Sequence, residues 1–194
     1  MSEIIKDWIK ILLTAAVTVI VITQFVMPAN IYGASMEPNF SSGDYIFVNR
    51  QAYNQYRLPE RGDVVLFKSE LPDEDGKKKI LIKRIIALPG DTIEVKGGQV
   101  ILNNEILTED YIKEEYTTGK VEPVVIPENG YFCMGDNRIR SRDSRDEAVG
   151  IVDAEEIVGE VVFRIYPLDR FGKIENFYEE DSFYKSAHWI CCKK

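Results

Sequence analysis

The first pattern along the chain is an apolar run without a polar face. From Ile11 to Met36 there is no charged residue, and Ile11–Met27 (ILLTAAVTVIVITQFVM) is almost wholly hydrophobic. With Trp8 and Ile9 the run is about 20 residues, or roughly 30 Å of helix, the thickness of a bilayer core. A core helix of a soluble protein would show polar positions at helical spacing. A cleaved leader would need a small-x-small site after the run, where Pro28, Asn30 and Tyr32 stand instead. The pattern therefore predicts one membrane anchor, ending at Pro28, which cannot continue a helix. Lys6 and Lys10 precede it and the next basic residue is Arg50. The positive-inside rule then leaves the N-terminus in the cytoplasm and the rest of the chain outside.

Beyond the anchor the period changes from helical to strand-like. Short β-branched and aromatic segments recur at 45–49, 63–67, 80–88, 91–95, 99–103, 131–135 and 161–166. Between them stand Ser42-Gly43-Asp44, Arg61-Gly62-Asp63, Pro89-Gly90-Asp91, Gly97-Gly98 and Asn103-Asn104, all turn formers. The segment 92–107 reads as a hairpin closed by Gly97-Gly98, with a second tight turn at Asn103-Asn104. One weak helical segment is expected at 153–157, and a flexible loop at 70–79. The predicted fold is mainly β: an antiparallel β-sheet domain after a single N-terminal transmembrane helix. The expected organisation is 1–28 cytoplasmic N-terminus and anchor, 29–170 the domain with 92–130 a hairpin-rich insert, and 171–194 a tail without an assigned role.

Composition narrows the chemistry. Of 194 residues, 24 are Lys or Arg and 32 are Asp or Glu, a net charge of −8, which argues against nucleic acid as a partner. The three cysteines, Cys133, Cys191 and Cys192, form no disulfide framework, leaving open one bridge from Cys133 to the tail. His188 is the one histidine, six positions from the end. A histidine-based triad or a zinc site would have to draw it back into the domain.

Three places could carry chemistry instead. Ser35 sits in Gly33-Ala34-Ser35-Met36-Glu37-Pro38, where small residues allow a peptide to approach the backbone. Lys83 lies inside the strand ILIKRIIAL, with Leu81, Lys83 and Ile85 on one face and Ile82, Arg84 and Ile86 on the other. Burial lowers a lysine pKa, and a neutral lysine can take a proton from a serine hydroxyl. The run GDNRIRSRDSR (135–145) follows an apolar strand and can supply hydroxyls and ion pairs to orient a base. Taken singly, each has a plain alternative: a loop serine, a surface lysine, a solvated loop.

SMEP, RGDVVLF, KRIIALPGD and GDNRIRSRDSR, in this order behind one apolar span, resemble the boxes of bacterial type I signal peptidases, in the single-span form of Gram-positive species. The resemblance implies a serine endopeptidase that cuts signal peptides from exported preproteins after small residues (Ala-X-Ala sites) through an acyl-enzyme. Ser35 matches the nucleophile and Lys83 the general base. Ser141 matches the residue whose hydroxyl holds the lysine amine; Asp143 and Arg145 match the ion pair bracing that loop, and Asp136 a further supporting carboxylate. Ile31, Met36, Phe40 and Ile82 would line the pockets for small side chains. Gly33 stands where some relatives place a second oxyanion donor, a serine hydroxyl, and Asn39 where they usually have threonine. The resemblance implies secretory preproteins and the lipid bilayer as partners, and neither metal nor organic cofactor. Competing readings are a non-catalytic membrane-anchored β-domain that binds without cutting, a soluble self-cleaving repressor, and a secreted β-domain with a cleaved leader.

Overall fold

The computed structural model describes residues 2–174, 176 and 177. Helix α1 (Ser2–Phe25) carries the apolar run, and its stretch Glu3–Phe25 is long and apolar enough to cross a membrane, with none of it buried against the rest of the chain. The helix stops at Phe25, three residues before Pro28. Val26–Asn30 form strand β1 instead, paired with β2 (Tyr45–Asn49). β1 is the outermost strand of its sheet, where a proline can sit without an N–H to donate. The helix runs into the sheet without a linker, and Arg50 N–H donates to Phe25 C=O at 2.9 Å.

Ten more strands follow: β3 (Val64–Pro72), β4 (Lys78–Ala87), β5 (Thr92–Lys96), β6 (Gln99–Leu102), β7 (Glu105–Ile106), β8 (Val121–Val125), β9 (Gly130–Met134), β10 (Val152–Asp153), β11 (Ile157–Tyr166) and β12 (Gly172–Lys173). All pairings among the described residues are antiparallel. The large sheet has the order β1-β2-β11-β3-β4-β9-β10, with β12 on β11; the small one has the order β7-β6-β5-β8. The mainly β, antiparallel expectation is met.

Both tight turns of the small sheet fall where the sequence puts them. Gly97 and Gly98 link β5 to β6 at φ 62° and 86°, and Asn103 and Asn104 link β6 to β7 at φ 52° and 70°. Two successive left-handed residues make the hairpin turn whose twist matches its strands. The segment read as a weak helix becomes a single 3-10 turn, Ala154–Glu156, capped by Asp153 accepting from Glu155 N–H. Strands β1, β8, β10 and β12 were not foreseen; Pro28 and Pro123 interrupt the first two, and the last two are only two residues long each.

Three apolar clusters flank β4. Leu81 and Ile85 pack with Val65, Phe67, Tyr131 and Cys133. On the alternate positions, Ile82 joins a cluster with Ile31, Met36 and Phe40, while Ile86 joins Ile93, Tyr111 and Met134 beneath the small sheet. The period-2 alternation thus places β4 between clusters on both sides, which is why a lysine and an arginine in it are both covered.

Candidate active site

Loop 31–44 is closed at its base by Ile31 N–H on Asp44 C=O (2.9 Å) and Gly43 N–H on Ile31 C=O (2.8 Å). Gly33 in this loop takes φ +90°, a left-handed conformation that other residues rarely adopt. Two residues on, Ser35 is held by its main chain, its carbonyl accepting from Asn137 N–H at 3.0 Å. Met36 and Phe40, each 1% exposed, anchor the loop in the cluster that also holds Ile31 and Ile82. All four residues expected to line substrate pockets therefore share one apolar cluster beside the serine.

Lys83 approaches from β4, where it pairs with Val65 of β3. Its Nζ lies 2.7 Å from Ser35 Oγ and donates to Ile82 C=O at 2.7 Å. The side chain is only 2% exposed. Burial pulls its pKa down to about 8, against the upward pull of the Asp143 and Asp136 carboxylates. A substantial neutral fraction near pH 8 is what a lysine base requires.

The GDNRIRSRDSR run forms the far wall. Arg145 Nε and Nη2 fork onto the Asp143 carboxylate, both at 2.8 Å, and Gly135 N–H adds a bond at 2.9 Å. Burial pushes Asp143 up, but Arg145, Gly135 and the Ser141 hydroxyl outweigh it and hold the carboxyl below its ordinary range. Gly135 is required by close approach: a Cβ there would overlap Ser141 Oγ and Ser35 O. The expected bond from Ser141 to the lysine amine is not formed. Lys83 Nζ is shared between Ser35 and Ile82, whereas Ser141 Oγ is buried beside Gly135 and Asp143 without a well-formed hydrogen bond.

Asp136 belongs to a second brace. Arg84 Nε and Nη2 bind its two oxygens at 2.9 and 2.7 Å, and both side chains are fully buried. Asn39 Nδ2 bridges the same carboxylate (2.8 Å) and Tyr111 C=O (2.7 Å). Arg138, also fully buried, binds Glu109 at 2.6 Å through Nη1 and Gly135 C=O at 3.0 Å through Nε. Arg84, Arg138, Glu109 and Asn39 were missed as supports. Arg84 and Arg138 stand inside the recognised boxes, but their partners lie tens of residues away.

A concavity of about 340 Å³ lies elsewhere, beside β6 and β7, lined by Gly98, Leu107 and Glu109 among others. Chemistry, not cavity size, locates the site. His188, Cys191 and Cys192 lie outside the described residues, as does any bridge between them and the buried Cys133.

The fold and the comparisons define a serine peptidase hydrolase carried behind an apolar helix. The chain matches the family described as signal peptidase, peptidase S26, over residues 5–166. It is 36% identical to signal peptidase I P of Bacillus subtilis subsp. natto over 177 residues, covering 86% of this chain and 91% of the relative. Signal peptidase IB of Staphylococcus aureus is 32% identical over 200 residues, covering 94% and 99%. The crystal structure of a signal peptidase I from Enterococcus faecalis aligns at 30% identity and a TM-score of 0.44, covering 54% of this chain and 97% of that one. The chain belongs to the signal peptidase family, and its N-terminal helix is long and apolar enough to cross a membrane.

Proposed function

We propose that this chain removes signal peptides from exported preproteins with Ser35 as nucleophile and Lys83 as general base. The observation that carries the reading is the 2.7 Å contact between Ser35 Oγ and a Lys83 Nζ that is almost wholly buried. Neutral Lys83 takes the Ser35 hydroxyl proton as Oγ bonds to the scissile carbonyl carbon. The carbonyl oxygen becomes an oxyanion beside the Ser35 N–H, which donates to no described residue. With Gly33 offering no hydroxyl, this main-chain donor carries more of that charge than in relatives with a serine there. The C–N bond then breaks, and the Lys83 ammonium returns its proton to the departing amine. Water, deprotonated by Lys83, attacks the acyl-Ser35 ester; the acyl C–Oγ bond breaks, Lys83 gives the proton back to Ser35 Oγ, and the signal peptide leaves with a carboxylate end.

The peptidase domain in this reading is 29–170 together with the start of β1 and with β12, which complete its large sheet, and 92–130 is its insert. Ile31, Gly33, Met36, Phe40 and Ile82 border the place where small residues before the cleaved bond would rest, giving an Ala-X-Ala preference. Asp143 and Arg145, with Asp136, hold the wall facing Lys83, and Ser141 supports that wall through Asp143. The domain faces outward and the N-terminus the cytoplasm, placing the preprotein and the bilayer, not nucleic acid, as partners. A non-catalytic paralogue would have no need to keep both members of the dyad. In detergent micelles, purified chain should cleave a preprotein with an Ala-X-Ala site, and Ser35→Ala and Lys83→Ala should each abolish cleavage. Full activity in either variant would sink the assignment.

A further inference from the structure

Beyond β12 the chain enters a segment to which the catalytic reading gives no task, and its first residues return to the site. Ile174 N–H donates to Val162 C=O at 3.1 Å. Asn176 Nδ2 then bridges Arg61 C=O at 3.1 Å and Asp63 Oδ1 at 3.0 Å, in the turn that leads into β3. This delivers Phe177 onto Tyr111, the two rings stacking at 5.4 Å and 29°. Arg84 Cζ lies 4.5 Å from the Tyr111 centroid and 5.1 Å from that of Phe177. The guanidinium that holds Asp136 is therefore covered by two aromatic rings from distant parts of the chain.

Such cover suits the task. A buried ion pair keeps its geometry only where water is excluded and its remaining donors are satisfied. An aromatic face attracts the cation without competing for the carboxylate. The residue after Asp136 is Asn137, whose N–H holds the Ser35 carbonyl, so a shift of Asp136 is passed to the nucleophile within one peptide unit. Phe177 itself is 46% exposed, which puts it on the solvent side of the pair.

Resting on the dyad reading, we propose that Phe177, docked by Asn176, is a positioning residue that closes the Arg84–Asp136 pair from outside and thereby fixes Ser35. The contact is made by residues beyond 166, where the family match ends.

The test measures kcat and KM for preprotein cleavage by the full chain in micelles. In Phe177→Ala, kcat should fall about three- to tenfold, the worth of a partly desolvated cation–π contact, with KM within about twofold. Phe177→Tyr keeps the ring face and should retain kcat within about twofold. In an Arg84→Lys background the further loss from Phe177→Ala should shrink to less than about twofold, because the two act as a unit. An unchanged kcat in Phe177→Ala, a loss in melting temperature alone, or equal damage from Ala and Tyr would overturn the proposal. A parent chain that cleaves no preprotein, or a Ser35→Ala variant as active as the parent, would instead overturn the dyad reading on which it rests.

Discussion

Asp143 opposes what burial does to Lys83: enclosure drives the amine's pKa down, and this carboxylate is the strongest influence pulling it back up, leaving it at about 8. The proposed mechanism needs the neutral amine, so kcat/KM should rise with pH through a single ionisation near 8 and level off above it. A pH–rate profile of the full chain checks this. Asp143→Asn removes the upward pull, so its acid limb should move to lower pH even as the plateau falls through loss of the Gly135 and Arg145 contacts. Movement to higher pH would contradict the assignment.

The same shift bears on stability. The folded pKa of Lys83, about 8, lies below its unfolded value near 10.5. Between these two values the folded state holds fewer protons than the unfolded one, so stability rises with pH across that window. Below the window both states are protonated and the cost of enclosing an ammonium is fully felt. Lys83→Met should therefore stabilise the chain at pH 7 by on the order of 1–3 kcal/mol, the burial cost less the hydrogen bonds lost. The gain should shrink as pH approaches 10. Denaturant titrations at the two pH values measure it, and a destabilised variant at pH 7 would refute the account.

Gly135→Ala is expected to be far more harmful than its one added methyl suggests. The new Cβ would overlap Ser141 Oγ and the Ser35 carbonyl oxygen, so the Ser35 loop or the 135–145 wall must give way. Overpacking of this kind costs about 1–3 kcal/mol, and displacement of Ser35 should reduce kcat by about a hundredfold. Normal kcat in this variant would show that the loop tolerates the shift.

Arg84→Met should cost about 3–5 kcal/mol of stability, because Asp136 would remain buried with its charge uncompensated. Arg84→Met combined with Asp136→Leu should recover most of that loss, since two apolar side chains leave no orphaned charge. Thermal unfolding of the single and double variants distinguishes the two. A double variant no better than the single would mean that Asn39 and Tyr111 depend on the carboxylate as much as Arg84 does.

The sequence made some of this architecture legible and hid the rest for physical reasons. Gly97-Gly98 and Asn103-Asn104 announce their turns because left-handed backbone is a local property, readable from the residues that adopt it. The alternation along β4 also held, with Leu81 and Ile85 on one side and Ile82 and Ile86 on the other. Whether Lys83 and Arg84 were covered was not local: the cover of Arg84 comes from Tyr111, Asp136 and Phe177. Likewise, Ser35 and Lys83 stood out only through their place in the ordered boxes, since nothing near either names the other. Ser141 shows the limit of matching by position. Its box is present, but its hydroxyl settles against Asp143 and Gly135 rather than on the amine.

The junction at Phe25 and Val26 has a consequence for where a substrate would be cut. Since α1 passes into β1 with no intervening residue, and Arg50 ties the helix end to β2, an α1 that spans a bilayer as proposed would hold Ser35 at a set height above it. In the proposed mechanism the anchor would then serve as a gauge, counting residues from the end of a preprotein's own apolar segment to the bond that meets Ser35. A flexible insertion between Phe25 and Val26 would blur that count, producing cleavage at neighbouring small residues while leaving the chemistry at each bond unchanged.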